Sequence, residues 1–233
     1  MSNWQPLESN SELITKYVAD LGLDTKEYVF QDLLSYEEWA QQMIGQPALG
    51  LLFIYEITEI QDKFSKEQTE KITKEGQKVS PALFYMKQYA ENACGTIAVF
   101  HILGNLPIEQ RKLIKEGSIL ERFFAKAKGM NPEEAGNIFE AEEDIKQKHV
   151  HASNEGHTNV NDHLNTNNHF IAMVRGDDHL YELDGRKNHA INHGPTTAAN
   201  FLADACKAAH TFIEREPDNL NAGLIVFAPK SEE

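Results

Sequence analysis

The sequence is short of what an extracellular or membrane-bound chain relies on. Its 233 residues include only two cysteines, too few for a disulfide framework, and no Asn-x-Ser/Thr sequon. No apolar run approaches the roughly 20 residues that a membrane helix requires, and the polar, acidic N-terminus is unlike a secretory signal. Cationic side chains are scarce too: 22 Lys+Arg stand against 36 Asp+Glu, a formal charge of −14. Such a chain repels phosphate backbones and anionic lipid, so neither nucleic acid nor a membrane is an expected partner. The expectation is a soluble protein of a reducing compartment, cytoplasmic or nuclear. The 41% hydrophobic and 25% charged fractions are ordinary globular values and exclude a wholly disordered chain. The length fits one domain spanning 1–233, expected as a monomer.

What is there reads as α+β, helix-rich first and strand-rich second. Ser9-Asn10-Ser11-Glu12 has the form of a capping box before a helical run that Gly22 stops. A short strand is expected near Tyr28–Gln31, and a helix from Ser35 with a second box in Ser35-Tyr36-Glu37-Glu38. Ala48–Ile57 is apolar almost throughout, the pattern of a strand buried on both faces. Residues 58–80 have few apolar anchors and read as an exposed helix or a loop. Pro81–Lys87 reads as a strand, and Ala93–Leu103, apolar all round, as a central helix. Two or three amphipathic helices fill 108–148, the last starting at Asn131-Pro132. Residues 149–168 offer almost nothing to bury and read as a long loop. Strands at His169–Arg175, His179–Asp184 and Ala190–Asn192, a helix at Thr197–Glu216 and a strand at Gly223–Ala228 complete the chain.

The two cysteines stand in different settings. Cys206 lies on a core-facing stripe between Leu202 and Ala209, where a buried, inert thiol is expected. Cys94 opens the central helix just after Asn92, a good N-cap residue, where unpaired N–H groups and the helix dipole favour thiolate. Downstream, Gly176-Asp177 suggests a two-residue type II′ turn. That register places Phe170, Ala172 and Val174 across from Leu183, Tyr181 and His179, and His169 directly opposite Asp184. A carboxylate there can orient an imidazole that accepts the Cys94 proton, the alternatives being a plain helix-start cysteine and a surface His–Asp pair with no task, which a one-residue slip would separate. Gln88, six residues before Cys94, supplies an amide for an oxyanion. A helix-start Cys, a paired His–Asp and a Gln together outline a thiol hydrolase.

Gln88-Tyr89-Ala90-Glu91-Asn92-Ala93-Cys94-Gly95-Thr96, His169-Phe170-Ile171-Ala172 and Leu180-Tyr181-Glu182-Leu183-Asp184-Gly185-Arg186 closely resemble the ubiquitin carboxyl-terminal hydrolase family of cysteine proteases. Trp4-Gln5-Pro6-Leu7-Glu8-Ser9-Asn10, Ile191-Asn192-His193-Gly194 and Arg215-Glu216-Pro217-Asp218 match as well. The resemblance runs from Trp4 to Ala228 and is greatest to short members made of the catalytic domain alone. It implies Cys94 as nucleophile, His169 as general base and acid, Asp184 as orienting carboxylate and Gln88 as oxyanion donor. It also implies a central, antiparallel-rich sheet flanked by helices, papain-like in its catalytic arrangement, on a knotted backbone. The stretch 149–166 becomes a crossover loop over the site that limits leaving groups to small or flexible ones. Ubiquitin, or a related modifier, is the implied partner. Its contacts fall on Pro6, Leu7, Glu8, Ser9, Asn10 and Ser11, on His151, Ala152, Ser153, Asn154, Glu155, Gly156 and His157, and on Asp218, Asn219, Leu220 and Asn221.

Other readings are weaker. His149, His151, His157, His163 and His169 invite a metal site, but no ligand-spacing motif supports one, and neither metal nor cofactor is expected. Glu133, Glu134, Glu140, Glu142, Glu143 and Asp144 read as a solvated face whose field attracts a basic partner such as ubiquitin's arginine-bearing tail. A ubiquitin-binding module without turnover conflicts with the intact set of four. A thiol acyltransferase would share the acyl-enzyme and differ only in its acceptor.

Overall fold

The first helix, α1 (Ser11–Leu21), starts one residue later than a Ser9 cap requires. The Asn10 side chain accepts the Leu13 N–H at 3.0 Å, and Gly22 ends the helix at φ 108, in the left-handed region. These elements belong to a computed structural model, which describes residues 4–156 and 167–231. Strand β1 (Tyr28–Asp32) follows. The helix expected from Ser35 shrinks to one turn, α2 (Glu38–Gln41), without a side-chain cap; Ser35 Oγ accepts only the Glu37 N–H, at 3.2 Å.

Strand β2 (Gly50–Glu56) is buried on both faces along almost its whole length, as its apolar run predicts. Period-two alternation divides it between two cores. Leu52 and Ile54 join one core, and Leu51, Phe53 and Tyr55 the other. Each fully buried Leu, Ile or Phe there is worth about 1.5–3 kcal/mol, so this strand anchors both layers. On the first face lies α4 (Cys94–Gly104), whose residues Gly95–Leu103 are all buried. It comes so close that a Cβ on Gly50 would lie 2.5 Å from Ile102 Cγ2. Before it runs α3 (Glu59–Glu75), the exposed helix among the two alternatives for 58–80.

The helical region continues with a 3-10 turn at Ile108–Leu113, α5 (Ile119–Ala127) and α6 (Pro132–Ala141). Asn131 and Glu134 close a capping box on α6. A further helix, α7 (Glu143–Glu155), occupies part of the expected long loop. Its buried positions Ile145, His149, Ala152 and Ser153 have helical spacing, but two are polar, which disguised the stripe. The crossover passage and the knotted threading both depend on 157–166, which lie outside the described residues together with His157 and His163.

The last third contains β3 (Asn168–Gly176), β4 (His179–Leu183), β5 (Ile191–Pro195), α8 (Phe201–Arg215) and β6 (Ala222–Pro229). Six strands form one sheet in the order β1-β6-β2-β3-β4-β5, every ladder antiparallel. The second core, under α8, covers the opposite face. Pro81–Lys87 does not join the sheet. Its backbone is satisfied by other groups: Asn105 brackets Phe84 with two 2.8 Å bonds, and the Met86 N–H meets His101 Nε2 at 3.2 Å.

Candidate active site

Three segments that are remote in sequence meet at one end of the sheet. The start of α4 brings Cys94, the start of β3 brings His169, and the turn after β4 brings Asp184. His169 Nε2 lies 2.8 Å from Asp184 Oδ1, with the two residues only 3% and 4% exposed. With Nε2 engaged, Nδ1 is the nitrogen left for the Cys94 thiol, whose influence raises the imidazole's pKa. Asp184 Oδ1 also accepts the Arg186 N–H at 2.9 Å, and Tyr55 packs edge-on against the imidazole at 5.9 Å.

The expected route to this pairing needs correction. The turn is Asp177-Asp178, both at positive φ (43 and 56), the geometry of a type I′ hairpin. Ala172 therefore faces Leu183 and Val174 faces Tyr181, and His169 does not face Asp184. The shift is two residues, which preserves the face on which each side chain lies. His169 and Asp184 meet as diagonal neighbours beyond the end of the ladder. The helix start also differs: Asn92 sits at φ 60, and Ala93 occupies the N-cap without a side-chain hydrogen bond. The first N–H groups of α4 thus have no side-chain cap beside the thiol.

Burial pushes the Cys94 thiol up. The hydrogen bond and charge of His169, with backbone hydrogen bonds at Phe170 and Gly95, outweigh it and hold the thiol below its ordinary value. For His169 burial works downward, but Asp184 and Cys94 prevail and raise it. Asp184 is disfavoured as an anion by burial yet held well below the carboxylate range by His169, Lys187 and the Arg186 N–H. All three shifts favour a thiolate–imidazolium pair backed by a carboxylate. Cys206 has no such neighbours, and burial alone pushes it up to about 12.

Gln88 is packed against the Asp184 turn. Its backbone N–H meets Gly185 O at 2.9 Å, and a Cβ on Gly185 would lie 2.9 Å from Gln88 Cβ. Its Nε2 donates to Ala90 O at 3.0 Å, leaving the second amide hydrogen free for an oxyanion. A buried cluster that sequence reasoning missed holds the same turn. Glu182, 1% exposed, pairs with Lys187 and, at 2.9 Å, with His193. Lys187 reaches Gln68 Oε1 on α3 at 3.0 Å, and the Tyr85 hydroxyl meets the carbonyls of Asp184 and Lys187. A charged residue in a strand reads as solvent-facing, so nothing local marked Glu182.

The expected substrate-contact residues divide. Leu7 lies against Gly95, with Leu7 Cβ 3.2 Å from where a Cβ on Gly95 would sit. Pro6, Glu8 and Asn10 are half-buried and Ser9 is exposed, but Ser11 turns inward to Asp32 at 2.9 Å. Ala152 and Ser153 are buried in α7, while His151, Asn154 and Glu155 are exposed and Gly156 is half-buried. Asp218, Leu220 and Asn221 are exposed and Asn219 is half-buried; Asn219 and Asn221 both donate to Glu56 Oε2 at 3.1 Å. His149 was missed as well. Its Nδ1 is 2.8 Å from Thr96 Oγ1 and its Nε2 2.5 Å from Gln5 O, joining α7, α4 and the N-terminal segment. Burial pushes it down to about 4, so it is neutral in this network.

Residues 4–214 match the family model described as ubiquitin carboxyl-terminal hydrolase, family 1. A Drosophila melanogaster ubiquitin carboxyl-terminal hydrolase is 34% identical over 220 residues, covering 94% of this chain and 95% of its own. The Homo sapiens ubiquitin carboxyl-terminal hydrolase isozyme L1 is 37% identical over 213 residues, covering 91% and 92%. The fold is similar to that of the Trichinella spiralis UCH37 catalytic domain bound to ubiquitin vinyl methyl ester. The TM-score is 0.75 at 18% identity, over 99% of this chain and 97% of that one. The chain belongs to the ubiquitin carboxyl-terminal hydrolase family and is a cysteine-type ubiquitinyl hydrolase.

Proposed function

We propose that the chain cleaves the amide, ester or thioester bond after the C-terminal glycine of ubiquitin through an acyl-enzyme on Cys94. One observation supports the reading above all: the imidazole that draws the Cys94 thiol toward thiolate is itself held by Asp184, with His169 Nε2 2.8 Å from Asp184 Oδ1. Cys94 Sγ attacks the carbonyl carbon, and the oxyanion is met by the Cys94 N–H and Gln88 Nε2. The imidazolium gives its proton to the leaving amine as the C–N bond breaks. His169 then takes a proton from water as that water attacks the thioester, releasing the glycine carboxylate and restoring the thiol.

Recognition falls on Pro6–Asn10, on the exposed end of α7 and on Asp218–Asn221, with Leu220, 84% exposed, as an apolar anchor. The stretch 149–166 restricts leaving groups to small or flexible ones. The reading extends to a single catalytic domain over 1–233, acting as a monomer without a cofactor, in cytoplasm or nucleus.

The test is a ubiquitin whose C-terminus carries a thiol-reactive electrophile. It should label Cys94, and turnover of a fluorogenic C-terminal adduct should vanish in Cys94→Ala and persist in Cys206→Ala. A label on Cys206, or turnover in Cys94→Ala, overturns the assignment.

A further inference from the structure

A large cavity lies away from the thiol. It is a groove of about 1220 Å³ at the far end of α4, lined by Leu103 and Gly104. Over eleven residues that end is about 15 Å from Cys94, so the groove is separate from the reacting centre. One wall is the Pro81–Tyr85 segment that failed to join the sheet, and the other is the stretch from Phe124 to Pro132. Its lips are apolar and open, with Val79 and Met130 each 41% exposed. A monomer seldom leaves such a surface uncovered without a ligand for it.

The charges in the groove run against those of the molecule. In a chain of net charge −14, the lining carries Arg111 and Lys128 against a single acid, Glu121. That acid is already engaged, accepting the Gly117 N–H at 2.6 Å. Neither cation has an ion-pair partner among the described residues, and Arg111 bonds only the Leu106 carbonyl, through Nε at 3.3 Å. An apolar trough edged by two unneutralised cations is complementary to one chemistry.

We propose that this groove binds a single-chain amphipathic anion, a long-chain carboxylate whose tail lies on the apolar lining and whose head is met by Arg111 and Lys128. Tyr85 lines the groove, and its hydroxyl holds the Asp184–Lys187 turn, so the occupant sits one side chain away from the turn that positions Asp184.

The experiment is calorimetric titration of the full chain with octanoate, decanoate and dodecanoate, each below its micelle concentration. Binding should saturate at one per chain and tighten about fourfold per added methylene. Ala82→Trp and Ala125→Trp, at exposed lining positions that leave the core intact, should each weaken dodecanoate at least tenfold. Arg111→Glu with Lys128→Glu should weaken it as much and make dodecyltrimethylammonium the better ligand. The proposal is overturned by the absence of saturable binding, by binding that these tryptophans leave unchanged, by dodecanol binding as tightly as dodecanoate, or by association only with vesicles that contain the acid. Because turnover is not the readout, the result is independent of the assignment of Cys94.

Discussion

The start of α4 and the middle of α8 each hold one cysteine, and the two are chemically opposite. Cys94 stands where a helix start has no side-chain cap, and the imidazole of His169 from β3 draws its thiol down. Cys206 stands among Ala205, Ala209 and Phe212 in the second core. The same thiol is drawn toward thiolate in one place and driven up to about 12 in the other. Reactivity is therefore a property of the site and not of the residue type.

The largest effect should come from exchanging the roles of the two thiols' neighbourhoods for nothing. Cys94→Ala should lower turnover at least about 10⁴-fold while ubiquitin binding, measured by titration, persists. Asp184→Asn comes next, with kcat reduced by up to about 10⁴-fold and an unchanged fold by circular dichroism. Gln88→Ala should lower kcat about 100-fold or more with little change in binding. An unaltered kcat in either variant removes that residue from the chemistry.

The pH dependence sharpens the comparison. Alkylation of Cys94 by a small reagent should reach its plateau below the ordinary thiol value of about 8.5, whereas Cys206 should stay unreactive throughout. Replacing His169 by Phe should move the Cys94 inflection up. Stability follows the same groups. Asp184 and Glu182, held low, stabilise fully above the ordinary carboxylate range and lose that contribution as pH falls through their lowered values, about 2 for Glu182. His169, raised from 6.5 to about 10, contributes fully below 6.5 and loses that contribution as pH rises through about 10. Denaturant midpoints of Cys94→Ala should therefore form a plateau between about pH 5 and 6.5, and Glu182→Gln should flatten the acid side.

A smaller effect is expected from His149→Phe. The Gln5 carbonyl loses its partner while the Thr96 hydroxyl keeps Tyr17 at 3.2 Å, a loss of about 1–3 kcal/mol. KM for the ubiquitin adduct should rise while the alkylation rate of Cys94 is unchanged, because the network places the Trp4–Leu7 segment and not the thiol. Equal losses in both rates would mean that His149 supports α4 as a whole. The smallest change belongs to Cys206→Ser: turnover intact, and stability lower by about 1–3 kcal/mol for a buried hydroxyl without an assured partner.

Local pattern by itself determined the helices α1, α4 and α8 and the doubly buried β2, and resemblance of short motifs singled out Cys94, His169, Asp184 and Gln88. Each depends on spacing within one segment, or on a motif whose residues are adjacent in the chain. Tertiary structure decided the rest. The hairpin register turned on whether Gly176-Asp177 or Asp177-Asp178 forms the turn, and both are plausible from residue type. The face was legible all the same, since a shift of two residues does not change it. Pro81–Lys87 has strand composition, but a strand exists only where another backbone pairs with it, and here Asn105, His101 and Pro132 satisfy its groups instead. His149 and Glu182 are polar residues in buried positions. Burial of a polar group is possible only when distant partners satisfy it, and those partners, Thr96 and Gln5 for one, Lys187 and His193 for the other, are brought into reach by the fold.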